Sequence, residues 1–313
     1  MIQPVLERAL QTLLAALALA AGAAEAGTSV LFIGTSFTYG AGAAVRYYRA
    51  DTVTDLNNEG IGGVPALVKS FADQSGVDLE VALETRGGSN FDFHIENKLG
   101  VIGRRPWDRV VMHGFSTLDA KKPGDPTALI AGAKQLGEFL RGRNPRVEIH
   151  LMATWSRADQ VYLPQGAWAG KPIETMARDI RAAYDQAATA AGAKGVIPVG
   201  QAWNRAIAGG IADANPYDGI EAGKINLWTT DHYHASDRGY YLEALVIFGH
   251  LTGRDPRSLG ENECSGYELG LSRDEVKKLQ QVAFDELAAA GSAAAAPLAL
   301  ARPVTPERCG RSR

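Results

Sequence analysis

The strongest constraint on this 313-residue chain is the alternation of short apolar, β-branched runs with amphipathic stretches of helix length. The runs lie at residues 30–33, 79–83, 110–112, 147–152 and 196–199, and each ends at a turn residue or a polar break. Between them, residues 65–72, 126–141 and 172–191 carry apolar side chains at helical spacing, as Leu129, Ile130, Ala133, Leu136 and Leu140 do. Residues 239–251 and 275–287 continue the helical pattern beyond the last run. Strands joined by helix-length crossovers pair in parallel, and parallel sheets are covered on both faces. The expected fold is therefore α/β: a three-layer α/β/α sandwich around a mostly parallel, about five-stranded sheet.

Two stretches break the rhythm. Residues 41–60 carry Arg46, Tyr47, Tyr48 and Arg49, and residues 156–171 carry Tyr162 and Trp168. Connections this long after strand ends usually have a task, because ligands of open α/β sheets bind at the carboxyl edge. Tyr39, Trp155 and Trp168 are accordingly candidate substrate-binding aromatics; the alternative is that they cover the sheet edge.

The chain ends read differently from its middle. Arg8 precedes an apolar run at residues 9–24, and Ala24-Glu25-Ala26 supplies a small-x-small cleavage pattern. Residues 1–26 thus resemble a secretory signal peptide, with an apolar part too short to span a bilayer. The expectation is an exported protein, periplasmic or secreted, with a domain over residues 27–290. Residues 291–313, Ala-rich and then rich in Pro and Arg, read as a disordered tail. In an oxidising compartment Cys264 and Cys309 form either a disulfide or two free thiols, and the sequence leaves both open. A net charge of −3 gives no basic footprint for nucleic acid.

Chemistry enters through two stretches. Gly34-Thr35-Ser36 closes the first run and puts Ser36 at the sheet edge, where it is either a nucleophile or a turn cap. Almost two hundred residues later, Asp231 and His234 stand three apart before a helical segment. At that spacing the carboxylate can take the Nδ1 proton of His234 and leave Nε2 free to accept a serine proton. Asp231, His232 and His234 lack the spacing of a zinc site, so no metal is expected. Gly60 to Pro65, "GIGGVP", is a poor phosphate loop. His94, early in a helix after the Gly87-Gly88 turn, is expected on the helix surface or in packing, with a place in the site as the alternative, and His250 is expected to sit as a favourable charge at a helix end.

With Gly34, Ser36, Phe37 and Thr38 near one end and Asp231-x-x-His234 near the other, the chain resembles the SGNH, or GDSL-like, hydrolase family of esterases and lipases over residues 30–253. The resemblance implies a flavodoxin-like sandwich, Ser36 as nucleophile, His234 as base and Asp231 as its orienting acid. It also implies an oxyanion hole formed by the Ser36 amide, the Gly88 amide (with Gly87 as its neighbour) and a side chain after the third main strand. There the family's G-x-N-D appears as Gly114-Phe115-Ser116-Thr117, so the Asn is missing. His113 is the leading substitute donor, with Ser116 and then Asn90 behind it; a histidine satisfied at the sheet edge is the other reading of His113. The expected activity is cofactor-free hydrolysis of a carboxylic ester, of a carbohydrate or a short acyl chain, through an acyl-enzyme. Acyl transfer would use the same residues, and the missing Asn keeps open a glycan-binding protein with the same cleft. The sequence does not specify an oligomeric state.

Overall fold

The computed structural model describes residues 27–292 and Cys309. Its sheet has six strands, all parallel, in the order β2-β3-β1-β4-β5-β6. They are β1 (Thr28–Gly34), β2 (Thr54–Asp55), β3 (Leu79–Thr85), β4 (Arg109–Met112), β5 (Glu148–Met152) and β6 (Gly195–Ile197). The helices are α1 (Gly63–Gln74), α2 (Phe91–Asn97), α3 (Leu99–Ile102), α4 (Thr127–Arg143), α5 (Ala158–Tyr162), α6 (Glu174–Ala191), α7 (Val199–Ala208), α8 (Asp237–Thr252), α9 (Cys264–Glu268) and α10 (Arg273–Ala289).

The central strand shows why the apolar runs are continuous rather than alternating. Val30, Leu31, Phe32 and Ile33 of β1 are all buried, because helices cover both faces of the sheet. The α1, α8 and α10 helices pack together, with α7 against α8 and α10, while α2, α4 and α6 form a second packed group. Of all the helices, α8 is the most deeply enclosed: every residue from Gly239 to Gly249 is buried. Its Ser236 N-cap accepts from the Gly239 amide, and Gly253 closes it in the left-handed conformation.

The sixth strand is β2, inside the stretch expected to be loop. It has two residues and pairs with Ala82 and Leu83 at the sheet edge, too short for any periodic signal. Residues 156–171 likewise contain α5. His250 does not sit as a helix-end cation: its Nε2 lies 3.1 Å from His150 Nδ1, and burial pushes the two pKa values down to about 4 and about 3. Cys264 and Cys309 are joined in a disulfide. The signal-peptide reading and most of the expected tail lie outside the described residues. Among the described residues, no helix is long and apolar enough to cross a membrane.

Candidate active site

Ser36 lies two residues past β1, in a tight turn where the Thr38 and Tyr39 amides both donate to the Thr35 carbonyl. A Cβ at Gly34 would overlap Thr38 Oγ1 and stand 2.8 Å from His113 Nε2, so the strand must end in glycine for the turn to fold back over β4. The far side of the turn is fixed by Tyr240 of α8, which donates to the carbonyls of Ser36 (3.4 Å) and Ala41 (3.0 Å). Phe37 anchors it from below, stacked on Trp155 with 4.0 Å between ring centroids, and Trp155 stacks in turn on Trp203 at 4.6 Å.

Residues 229–234 form the opposing loop. Asp231 Oδ1 accepts from Thr229 Oγ1 (2.6 Å), the Tyr233 amide (2.9 Å) and the His234 amide (2.8 Å), while Oδ2 accepts from His234 Nδ1 at 2.7 Å. Burial works to raise the Asp231 pKa, but hydrogen bonds from Thr229, His234 and the two amides outweigh it and hold the carboxyl well below the usual carboxylate range. A carboxylate facing Nδ1 requires that nitrogen to carry the proton, which leaves Nε2 as the acceptor. Nε2 is buried and has no partner among the described residues. The His234 ring meets Phe37 edge-on at 5.7 Å, so the imidazole packs against the residue next to Ser36, with no hydrogen bond between Nε2 and the Ser36 hydroxyl. His232 turns away, in the left-handed conformation, with its ring 4.3 Å from that of Tyr217.

Residues 86–89 follow β3 and carry Gly88 at φ 69°, a conformation that favours glycine. Among the described residues, neither the Ser36 nor the Gly88 amide donates to a protein acceptor. A buried relay holds this loop: Glu84 pairs with His94 Nδ1, His94 Nε2 lies 3.2 Å from Ser89 Oγ, and the Ser89 hydroxyl donates to the Arg86 carbonyl at 2.8 Å. His94 is fully buried, consistent with a packing role.

At the end of β4 the geometry corrects the expectation for His113. Its Nδ1 lies 3.0 Å from the Gly114 carbonyl, a pure acceptor, so Nδ1 carries the proton. Nε2 then accepts from Thr38 Oγ1 at 2.8 Å and, more weakly, from the Thr35 amide at 3.4 Å. Burial drives its pKa down to about 4. A neutral ring with its single N–H committed has none to offer an oxyanion. Asn90 accepts from the Phe91 and Phe115 amides through Oδ1 and donates one of its two Nδ2 protons to the Leu118 carbonyl, which leaves one N–H uncommitted. Ser116 also has an uncommitted hydroxyl proton, and its Oγ accepts from Arg157 Nη1 at 3.1 Å, so among these donors it is the one backed by a charge. Arg157 lies over the Tyr233 ring at 3.7 Å and binds Asp159 through Nε and Nη2, while the Tyr233 ring is 3.9 Å from that of His234. Nothing singled out Arg157 in the sequence; its one signal was a charged residue shortly after the end of β5.

The aromatic candidates divide. Tyr39 is half-buried beside the Ser36 turn, its hydroxyl pressed against Gly87. Trp155 is fully buried in the stack beneath Phe37, and Trp168 is buried with Nε1 bonded to Asp179 at 2.8 Å, so neither offers a face to substrate. Among the described residues, no group of three or more His, Cys, Asp or Glu side chains is arranged to hold a metal ion.

No protein-family model matches the sequence, and no curated protein does. Solved structures do. A DUF4886 family protein from Bacteroides uniformis aligns at TM-score 0.58 and 18% identity, over 84% of this chain and 95% of its own. A candidate GDSL-like lipase from Parabacteroides merdae aligns at TM-score 0.50 and 13% identity, over 72% of this chain and 95% of its own. The acetylxylan esterase Axe2 from Geobacillus stearothermophilus aligns at TM-score 0.49 and 16% identity, over 71% and 94%. At such identities the likeness concerns architecture, and in architecture this chain is an SGNH/GDSL-like hydrolase fold.

Proposed function

We propose that the protein is an exported serine hydrolase that cleaves carboxylic esters through an acyl-enzyme. The observation that carries the proposal is the unpartnered Nε2 of His234, its tautomer set by Asp231, on a ring that packs against Phe37 of the Ser36 turn. In this reading Ser36 Oγ attacks the ester carbonyl as Nε2 takes its proton. The proton then passes to the leaving alcohol, and water repeats the sequence on the acyl group. The Ser36 and Gly88 amides supply two oxyanion donors, and the Ser116 hydroxyl supplies the third in place of His113. Arg157 supports that assignment, because a guanidinium donating to Ser116 Oγ turns its proton outward and strengthens it as a donor. The disulfide supports export, since such bonds persist in oxidising compartments. Esters of carbohydrates or short acyl chains are the proposed substrates.

A fluorophosphonate probe tests the nucleophile: wild type labels and Ser36→Ala does not. Equal labelling of the two would remove Ser36 from the mechanism. Loss of one oxyanion donor costs about a hundredfold to a thousandfold in kcat. Ser116→Ala is therefore expected to lower kcat by about that factor with little change in KM, and a kcat within about twofold of wild type would exclude Ser116 as a donor.

A further inference from the structure

Beside the Ser36 turn lies a recess of about 250 Å³, lined by Tyr39, Arg46, Glu59, Thr85, Arg86 and Gly87. It shares Gly87 and Arg86 with the loop that carries Gly88, and Tyr39 stands three residues after Ser36. Arg46 and the exposed Arg86 both line it without an ion pair or side-chain hydrogen bond among the described residues, whereas Arg49, Arg157 and Arg257 are each paired with a carboxylate. The Arg86 guanidinium lies 5.5 Å from the Phe93 ring centroid at the mouth of the neighbouring recess. The Arg46 guanidinium lies 5.0 Å from the ring centroid of the half-buried Tyr39 and 5.4 Å from that of the exposed Tyr47. Its Nε is buried and has no partner. A buried donor left unpaired is costly, and a charged one more so. The acid on the recess rim, Glu59, lies beyond 4 Å from either guanidinium, so one negative charge faces two positive ones. Both arginines also act on the Tyr39 phenol, opposing the upward shift that burial and Glu59 impose.

From this geometry we infer that the recess is a carboxylate subsite: the ester this protein acts on carries a free carboxylate, held by Arg46 and Arg86 beside the oxyanion loop. A planar guanidinium fork matches a carboxylate in shape and charge, and the half-buried Tyr39 ring forms one wall of the recess. The carboxylate belongs either to the acyl group, as in a dicarboxylate half-ester, or to the alcohol, as in an acetylated uronic acid. The ester part of the inference rests on the proposed hydrolase activity; carboxylate binding does not.

The test separates the two. Calorimetry on full-length Ser36→Ala is expected to show binding of succinate or glucuronate and none of glucose, with affinity at least about tenfold lower in the Arg46→Gln/Arg86→Gln variant. Turnover then distinguishes the sources: 4-nitrophenyl hydrogen succinate against 4-nitrophenyl butyrate, and acetylated glucuronate against acetylated glucose. In one of these pairs the anionic ester is expected to have the higher kcat/KM by about tenfold or more. That ratio should fall toward one in the double variant, and should also fall in wild type as salt rises from about 0.02 M to about 0.5 M. The salt arm needs no variant and is unaffected by misfolding. The inference is overturned if glucose binds as well as glucuronate, if inorganic phosphate binds more tightly than either carboxylate, or if both ratios are one or below. If Ser36 labels with fluorophosphonate while the ratios stay at one, the subsite fails and the hydrolase stands. If Ser36 does not label but carboxylates bind through the two arginines, the hydrolase fails and the subsite stands.

Discussion

Replacing Asp231 by Asn isolates what the carboxylate contributes. The Asp231 side chain accepts four hydrogen bonds, three on Oδ1 and one on Oδ2. In Asp231→Asn the amide oxygen keeps the Oδ1 position, because the Thr229 hydroxyl and the Tyr233 and His234 amides all require an acceptor there. The amide nitrogen must then face His234 Nδ1, and two donors cannot share a bond. His234 is forced into the other tautomer, with Nδ1 accepting and Nε2 protonated, and can no longer take the proton of Ser36. The same replacement in the serine-protease triad costs about ten-thousandfold in kcat, or about 5.5 kcal/mol of activation free energy. Asp231 is here more exposed than that buried acid, so the expected loss is about a thousandfold to ten-thousandfold in kcat on 4-nitrophenyl acetate. The fold should hold, with the melting temperature within a few degrees of wild type, since the loop keeps its three bonds to the amide oxygen. Asp231→Ala, in contrast, strips the acceptor from two amides and should lower both activity and melting temperature. An Asp231→Asn enzyme within about tenfold of wild-type kcat would refute the tautomer argument, and with it the assignment of His234 Nε2 as the base.

The buried pair His150 and His250 predicts an acid-sensitive fold. Both native pKa values lie below the unfolded value of about 6.5, so their contribution is intact above that pH and is lost as pH falls toward about 4 and about 3. At pH 5 the two together cost about 4 kcal/mol, so a His150→Leu/His250→Leu variant should gain about that much on wild type between pH 7.5 and pH 5, measured by urea unfolding; a pH-independent difference would refute it. The disulfide closes 45 residues, and its reduction should lower unfolding free energy by about 4 kcal/mol, read as a fall in the urea midpoint with dithiothreitol; an unchanged midpoint would refute it. Gly34→Ala should abolish fluorophosphonate labelling while the far-ultraviolet circular dichroism persists, because the added methyl collides with Thr38 at the turn and leaves the strands paired. Retained labelling would show that the turn relaxes.

What the sequence made legible was what periodicity and pairing encode. Five strands and the long helices follow from apolar spacing, since burial on both faces of a parallel sheet demands continuous apolar runs. The two-residue β2 leaves no such trace, because Thr54 and Asp55 belong to the sheet only through backbone bonds to β3. The Asp231–His234 contact was readable for the same local reason: three residues in one turn hold carboxylate and imidazole together whatever surrounds them. Trp155 and Trp168 were left between two readings because an aromatic after a strand end signals either a ligand platform or a cover for the sheet edge, and burial favours the second for both: Trp155 in the stack with Phe37 and Trp203, and Trp168 through its bond to Asp179.

The end of β4 was opaque for a deeper reason. A donor is defined by where its proton goes, and that depends on partners from distant segments. His113 looked suitable because an imidazole can donate, yet the Gly114 carbonyl claims that proton and Thr38, from the Ser36 turn, occupies the other nitrogen. His113 thereby becomes the brace that ties the Ser36 turn to β4, and that brace is the reason Gly34 has no room for a side chain. In the proposed mechanism the donor role falls to Ser116, whose hydroxyl becomes directional when Arg157, forty-one residues on, fills its acceptor side. Ser116 alone would be a weak replacement for an asparagine amide. Ser116 with a guanidinium behind it is a charge-assisted donor, and in the proposed mechanism that combination completes the oxyanion hole without the asparagine.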